Sequence, residues 1–324
     1  EEGKSIIFIT HKLNEIKQVA DRVSVLRKGK YIGTVDVAST SKEEMSEMMV
    51  GRKVIFEINK EEANIGETIL SVKNLSINSK VHGKSAVNNV SFDLRKGEIL
   101  CVAGIEGNGQ TELVYALTGL LPVDGGDIFY KGENITHKSI RFRNSTGISH
   151  IPEDRHKHGL VLDFTLAENL VLQTYFLDEF QKHGFIDFKS RLKNAEAMID
   201  QYDIRSGEGA ITYVRSMSGG NQQKAIVARE VEKDPDVIIA VQPTRGLDVG
   251  AIEYIHNQLI KQRDMGRAVL LISLELSEVL GISDRIVVMY EGEIVGDVNP
   301  SEVTQQELGL YMSGSKRGVG YERK

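Results

Sequence analysis

The segment Gly104-Ile105-Glu106-Gly107-Asn108-Gly109-Gln110-Thr111 follows the apolar run Ile99-Leu-Cys-Val-Ala103 and opens a helical one that extends to about Leu117. Its glycines permit a tight turn whose backbone N–H groups converge on an anion, and the helix start behind it adds about half a positive charge. The spacing matches the phosphate-loop pattern G-x-x-x-x-G-K-[ST] at every fixed position except the lysine, which here is Gln110. A dinucleotide turn, G-x-G-x-x-G, fits worse, because these glycines run G-x-x-G-x-G. Glutamine offers a neutral donor where lysine would bring charge. Charge-assisted bonds contribute ~1.5–3 kcal/mol against ~1 for neutral ones, so triphosphate binding is expected to be roughly tenfold weaker than with lysine. Thr111 keeps a hydroxyl suited to a magnesium ion.

A second constellation, Ser218-Gly219-Gly220-Asn221-Gln222-Gln223-Lys224, precedes the helical run Ala225-Ile-Val-Ala-Arg229. A serine hydroxyl and glycine N–H groups at a helix start suit a phosphate. In isolation the commonest use of such a serine is a plain N-cap. After it come the apolar run Val237–Val241 and Gln242-Pro-Thr-Arg-Gly-Leu-Asp248, and Ile151-Pro-Glu153-Asp-Arg155 lies upstream.

These groups need a scaffold. Leu70 to Ile77 and Val90 to Leu94 alternate apolar and polar residues, as strands with one buried face do. Ile99–Ala103, Val237–Val241 and Ala268–Ile272 are short and apolar without alternation, the pattern of parallel strands buried on both faces. Ala251 to about Arg263 has helical spacing, so strand and helix alternate as in an α/β sheet with helices on both faces. Residues 165 to about 205 carry leucines among charged residues with few strand signals, which predicts an inserted helical subdomain, about 165–225 once the start of the following helix is included.

The two ends repeat one another. Ile6-Ile-Phe-Ile-Thr-His11 aligns with Val269-Leu-Leu-Ile-Ser-Leu274, and Asp21 with Asp284, Gly29 with Gly292, Gly33 with Gly296 and Gly51 with Gly314, all at one offset of 263 (284 − 21). The expected organisation is therefore the tail of a first domain at 1–60, a linker at 61–67, a complete second copy at 68–315 and a short tail at 316–324.

The 324 residues carry 40 Lys plus Arg against 46 Asp plus Glu, a net charge of −6. This acidity counts against a nucleic-acid surface. The single cysteine, Cys101, excludes an intramolecular disulfide and fits a reducing compartment. No run approaches the ~18 apolar residues needed to span a bilayer, so a membrane role would act through a partner.

The order of phosphate loop, Ser-Gly-Gly-Asn-Gln-Gln-Lys signature, apolar strand and Pro243-Thr-Arg-Gly-Leu-Asp248 resembles an ATP-binding-cassette subunit over 68–315. The tail at 1–60 resembles the end of a second cassette, as in the paired cassettes of simple-sugar and nucleoside importers. The resemblance implies a P-loop NTPase-like mixed sheet with an antiparallel β subdomain and an inserted helical subdomain. It implies ATP and Mg2+ as cofactors. It further implies transmembrane permease subunits and, through them, a substrate-binding protein, at the cytoplasmic face of a membrane and with no nucleic acid partner.

Carried over position by position, the resemblance places Gly104, Glu106, Gly107, Asn108, Gly109, Gln110, Thr111, Glu153, Asn221 and Asp248 around nucleotide, with Thr111 and Glu153 at the metal. Glu153 stands where the family usually has glutamine. Ser218, Gly219 and Gly220 would act on a triphosphate held by the first cassette, and His11 is that cassette's switch histidine. The same pattern expects Asp-Glu where this chain has Val241 and Gln242, and histidine at Leu274. No aromatic residue lies between Leu70 and Phe92 to stack on adenine, leaving Val81 or His82. The second site is thus expected to be degenerate in hydrolysis while its signature serves the other site. A soluble cassette clamp acting on ribosomes or DNA, and a structural fragment that binds no nucleotide, are the alternative readings.

Overall fold

The computed structural model describes residues 3–10, 13–27, 29–53, 58, 60–78 and 85–318. His11, Val81 and His82 lie outside them. A six-stranded sheet runs in the order Glu293–Val298, Arg285–Tyr290, Ile99–Ala103, Ala268–Ser273, Val237–Val241, Ile148–Ile151. The first pair is antiparallel and the rest are parallel. The central strands are buried along their whole length, which is why their sequences lack alternation.

Successive residues of Ile99–Ala103 face different cores. Ile99, Cys101 and Ala103 pack with the helices Gly219–Glu232 and Val249–Asp264, while Leu100 and Val102 pack toward a four-stranded antiparallel sheet. That second sheet is ordered Ser85–Arg95, Thr68–Asn78, Gly125–Tyr130, Glu133–Asn134. The mixed sheet, the antiparallel subdomain and the strands and helices expected over 68–315 are present, whereas residues 6–10, aligned with a central strand, form none.

The inserted region is helical in Leu166–Leu170 and Phe188–Gln201, with short 3-10 turns at Gly209–Ile211 and Val214–Ser216. It also contains a small hairpin, Gln181–Lys182 with Phe185–Ile186, that the sequence reading did not anticipate. His183 and Gly184 both have positive φ, the conformation that a two-residue hairpin turn demands.

The terminal repeat is structural as well as sequential. Helix Leu13–Val19 corresponds to Leu276–Ile282 and strand Arg22–Arg27 to Arg285–Tyr290, each pair at the 263-residue offset (276 − 13, 285 − 22). Both hairpins carry a register shift at the same place, Val25/Leu26 and Val288/Met289. The final helices, Lys42–Val50 and Gln305–Met312, begin with matching capping boxes on Ser41 and Thr304. In the first copy Leu13, Ile16, Val37 and Met45 form a small separate core, while Ile6, Ile7 and Ile9 are almost fully exposed. Their counterparts Val269, Leu270 and Ile272 are buried in the large sheet.

Candidate functional site

Strand Ile99–Ala103 delivers the chain to Gly104, and Gly109 starts helix Gln110–Thr118 at φ 99°. Gly109 has no Cβ to strike the Ala86 carbonyl, and a Cβ on Gly104 would collide with the Gln110 amide and the Met289 carbonyl. The glycines are therefore required by the close approach of strands Ser85–Arg95 and Arg285–Tyr290 and of the Gln110 side chain. Gly107, also at positive φ, faces open space. Asn108 braces the loop from outside: its Oδ1 accepts from Glu291 N at 2.9 Å and its carbonyl from Gly292 N at 3.1 Å. Glu106 is exposed.

The helix has no side-chain N-cap, so its first-turn amides are available to an anion. Gln110 does not face outward with them. It is 5 % exposed, and its Nε2 donates to the Ile105 carbonyl within the loop at 3.3 Å. The position that would bring charge to a phosphate instead closes the loop upon itself.

Beside the loop, a cavity of about 510 Å³ is lined by Thr111, Glu153 and Val241 together with Arg155, Lys157 and Arg245. Glu153 Oε1 accepts from Gln242 Nε2 at 2.7 Å and also from Arg245 Nη1. Both places where the family pattern expects metal or water chemistry are thus altered together. The carboxylate at 153 is held by an amide and a guanidinium, and Val241, 5 % exposed, offers no oxygen.

Among the described residues, no group of three His, Cys, Asp or Glu side chains could hold a metal ion. Thr111 and Glu153 line the same cavity and only Oε1 of Glu153 is engaged, so one hydroxyl and one carboxylate oxygen would remain for a magnesium ion whose other ligands are phosphates and water. Arg155, His156 and His158 were missed by sequence reasoning, although the basic run after Pro152-Glu-Asp was a signal. Asp154 caps this run, accepting from His156 N and Lys157 N at 2.9 and 3.0 Å, and these backbone bonds lower its pKa. Burial pushes His150 down to about 4, so its imidazole is neutral at pH 7.

The signature helix meets the wall of this cavity: Arg155 lies against Gly219, and His156 Nε2 and Gln222 Oε1 are 2.9 Å apart. Ser218 occupies the N-cap position of helix Gly219–Glu232, yet its hydroxyl makes no capping bond. It is exposed and accepts from Asn221 Nδ2 at 2.9 Å, while Asn221 Oδ1 accepts from Arg205 N. The plain N-cap reading of this serine therefore fails. Asp248 is a true cap, accepting from Ala251 N at 2.9 Å, and a Cβ on Gly220 would press on Ala251. Leu274, at the switch position, follows strand Ala268–Ser273 with no proton to give.

Residues 87–245 match the family model described as ABC transporter. The chain is 50 % identical over 314 residues to the nucleoside import ATP-binding protein NupA of Lactococcus lactis, covering 97 % of this chain and 62 % of the relative. It is 49 % identical over 315 residues to the guanosine import ATP-binding protein NupO of Bacillus subtilis, covering 97 % and 61 %. The ribose import ATP-binding protein RbsA of Clostridium tetani is 38 % identical over 312 residues, covering 96 % and 60 %. The chain thus spans about three fifths of the length of these relatives. Among solved structures, a nucleotide-free ATP-binding cassette superposes with a TM-score of 0.62 at 21 % identity, covering 76 % of this chain and 96 % of that one. A dimeric bacterial cassette does so at 0.62 and 21 %, covering 72 % and 99 %. Residues 87–245 thus match the ABC transporter family model, and the chain shares the fold of solved ATP-binding cassettes.

Proposed function

We propose that the chain is part of the ATP-binding subunit of an importer for nucleosides or simple sugars, in which residues 68–315 complete the catalytic site of a first cassette and hydrolyse little ATP themselves. One observation carries this reading: the signature serine is exposed and caps no backbone amide of its helix, whereas Val241, Gln242 and Leu274 leave the domain's own loop without a general base. Such a base is typically worth ~10²–10⁴ in rate. Ser218 and the amides of Gly219 and Gly220 would cover a triphosphate held by the first cassette, stabilising charge by preorganised donors. His11 would act from the far side of that same site, a role supported by its sequence position alone.

The shared element order and the shared register shift support reading residues 1–60 as the end of that first cassette, with 61–67 as linker. The nearly full exposure of Ile6, Ile7 and Ile9 supports it too, because their counterparts occupy a central strand. Identities of 50 % and 49 % to nucleoside and guanosine import proteins, against 38 % to a ribose one, favour a nucleoside as the solute.

Permease subunits, and a substrate-binding protein beyond them, would place the subunit at the cytoplasmic face of a membrane. Among the described residues no helix is long and apolar enough to cross one. The inserted region exposes Tyr175, Leu177, Phe185 and Phe188, an apolar set suited to a protein partner. Uptake of labelled guanosine and ribose in cells lacking the subunit tests the reading. Restoration of guanosine uptake by the full-length subunit supports it, and restoration of neither solute contradicts it.

A further inference from the structure

Glu278 is a buried acid that the proposed reaction does not use. It stands on helix Leu276–Ile282, just beyond Leu274, and is 3 % exposed. Its Oε1 accepts from the Thr244 hydroxyl at 2.8 Å and lies 2.8 Å from His256 Nε2. Oε2 is buried and takes no hydrogen bond among the described residues. A buried acceptor left open is costly, so an acid kept in such a place calls for a reason.

The two segments it joins meet at the signature. Thr244 lies in the loop after strand Val237–Val241, where its carbonyl accepts from Leu247 N at 3.2 Å and begins the turn that delivers Asp248 to the cap of helix Val249–Asp264. His256 lies farther along the same helix. The first turn of that helix backs the signature: a Cβ on Gly220 would stand 3.2 Å from Ala251 Cβ and 3.9 Å from Asp248 Oδ2. Glu278 therefore ties both the entry loop and the body of the helix on which Gly220 rests.

The terminal repeat separates this acid from the switch position. At the offset of 263 (278 − 15), Glu278 corresponds to Glu15, and the switch position is His11 in one copy and Leu274 in the other. The acid persists where the histidine is replaced, so its place does not depend on that histidine's proton chemistry.

From this geometry we infer that Glu278 is a positioning residue for the signature: through Thr244 and His256 it holds the start of helix Val249–Asp264 as the platform that keeps Ser218, Gly219 and Gly220 in place. The inference rests on the reading that this signature completes the first cassette's site, and it deepens that reading by naming what sets the geometry. Preorganised donors lose rate steeply when misplaced. A loosened platform thus lowers turnover at the other site, while that site's own phosphate loop still holds the nucleotide.

Hydrogen exchange of the 324-residue chain and steady-state turnover of the full-length subunit with its membrane partners test this together. Thr244→Val removes one hydroxyl. It should speed exchange of the hydrogen-bonded amides of Leu247, Ala251, Ile252 and Gln222 at least fivefold, with strand Ile99–Ala103 unchanged. It should also lower kcat at least fivefold with KM for ATP within threefold of wild type. Thr244→Ser keeps the hydroxyl and should restore both. Glu278→Leu should lose at least as much, and adding Thr244→Val to it should change little, because the two share one interaction. Should Glu278→Leu fail to fold, the Thr244 pair decides alone. In a subunit whose turnover needs Ser218, wild-type turnover by Thr244→Val overturns the inference, as does a raised KM with kcat kept. Exchange that quickens equally in strand Ile99–Ala103 also overturns it, since the contact would then be a general prop of the fold. Turnover that Ser218→Ala leaves intact contradicts the underlying reading instead, and the exchange pattern then judges the platform by itself.

Discussion

Gln242 Nε2 lies 2.7 Å from Glu153 Oε1, joining residues 89 positions apart in sequence. The amide and the carboxylate stand in each other's expected places. The exchange leaves the acid bound to Arg245 and the end of strand Val237–Val241 without an acid. One consequence concerns Glu153→Gln. Removing a negative charge beside the loop and releasing Arg245 should tighten ATP binding by about five- to tenfold, a magnitude of ~1 kcal/mol for a partly screened pair. Titration of the variant checks it, and unchanged or weaker binding counts against the electrostatic account of the cavity.

Gln110→Lys restores the charge missing from the loop. It also replaces an amide that now donates to the Ile105 carbonyl, so a lysine has to swing outward past Gly104. Binding should tighten about tenfold, the difference between a charged and a neutral bond. Phosphate release by the chain should stay at background, because Val241, Gln242 and Leu274 remain. Turnover restored by this one change contradicts their assignment.

His150 should make the fold acid-sensitive. Burial lowers its imidazole from 6.5 to about 4, so between those values the unfolded chain takes up a proton that the folded one refuses. Stability is full above pH 6.5 and falls as pH drops toward 4, by about 1.4 kcal/mol per pH unit and roughly 3 in all. Urea unfolding at several pH values measures the slope. His150→Gln should flatten it through that window, and an unchanged slope would assign the acid sensitivity to other groups.

Arg143 ties the far end of the loop helix to the antiparallel sheet. Only 2 % exposed, it donates to the carbonyls of Leu117, Ile135 and Thr136 at 2.9, 2.6 and 3.0 Å. Arg143→Met leaves these acceptors buried and unpaired, at a cost of about 3 kcal/mol or more. A loss below about 1 kcal/mol in urea unfolding, small beside the cost of one buried unpaired group, would mean that the helix end is held by other contacts.

Much of this arrangement was legible in the sequence, and the reasons are local. Ile99–Ala103 and Val237–Val241 read as buried strands because burial on both faces removes alternation, and their bounds agree with the structure. The glycine loop read from spacing, and the signature from its place in the order of motifs that resembles a cassette. The inserted hairpin did not, because Gln181 and Lys182 are polar and Phe185 and Ile186 are exposed, so no face pattern marks them. Nor could spacing reveal that Gln110 folds into its own loop, or that Arg245 clamps an acid 92 residues away. Those depend on how separate strands converge.

The account turns on which site the signature serves. Steady-state phosphate release by the full-length subunit with its membrane partners, compared between Ser218→Ala and Gln242→Ala, addresses this directly. The account predicts at least a tenfold loss for the serine variant and less than a twofold change for the glutamine variant. Equal losses would show that residues 68–315 run a reaction centre of their own.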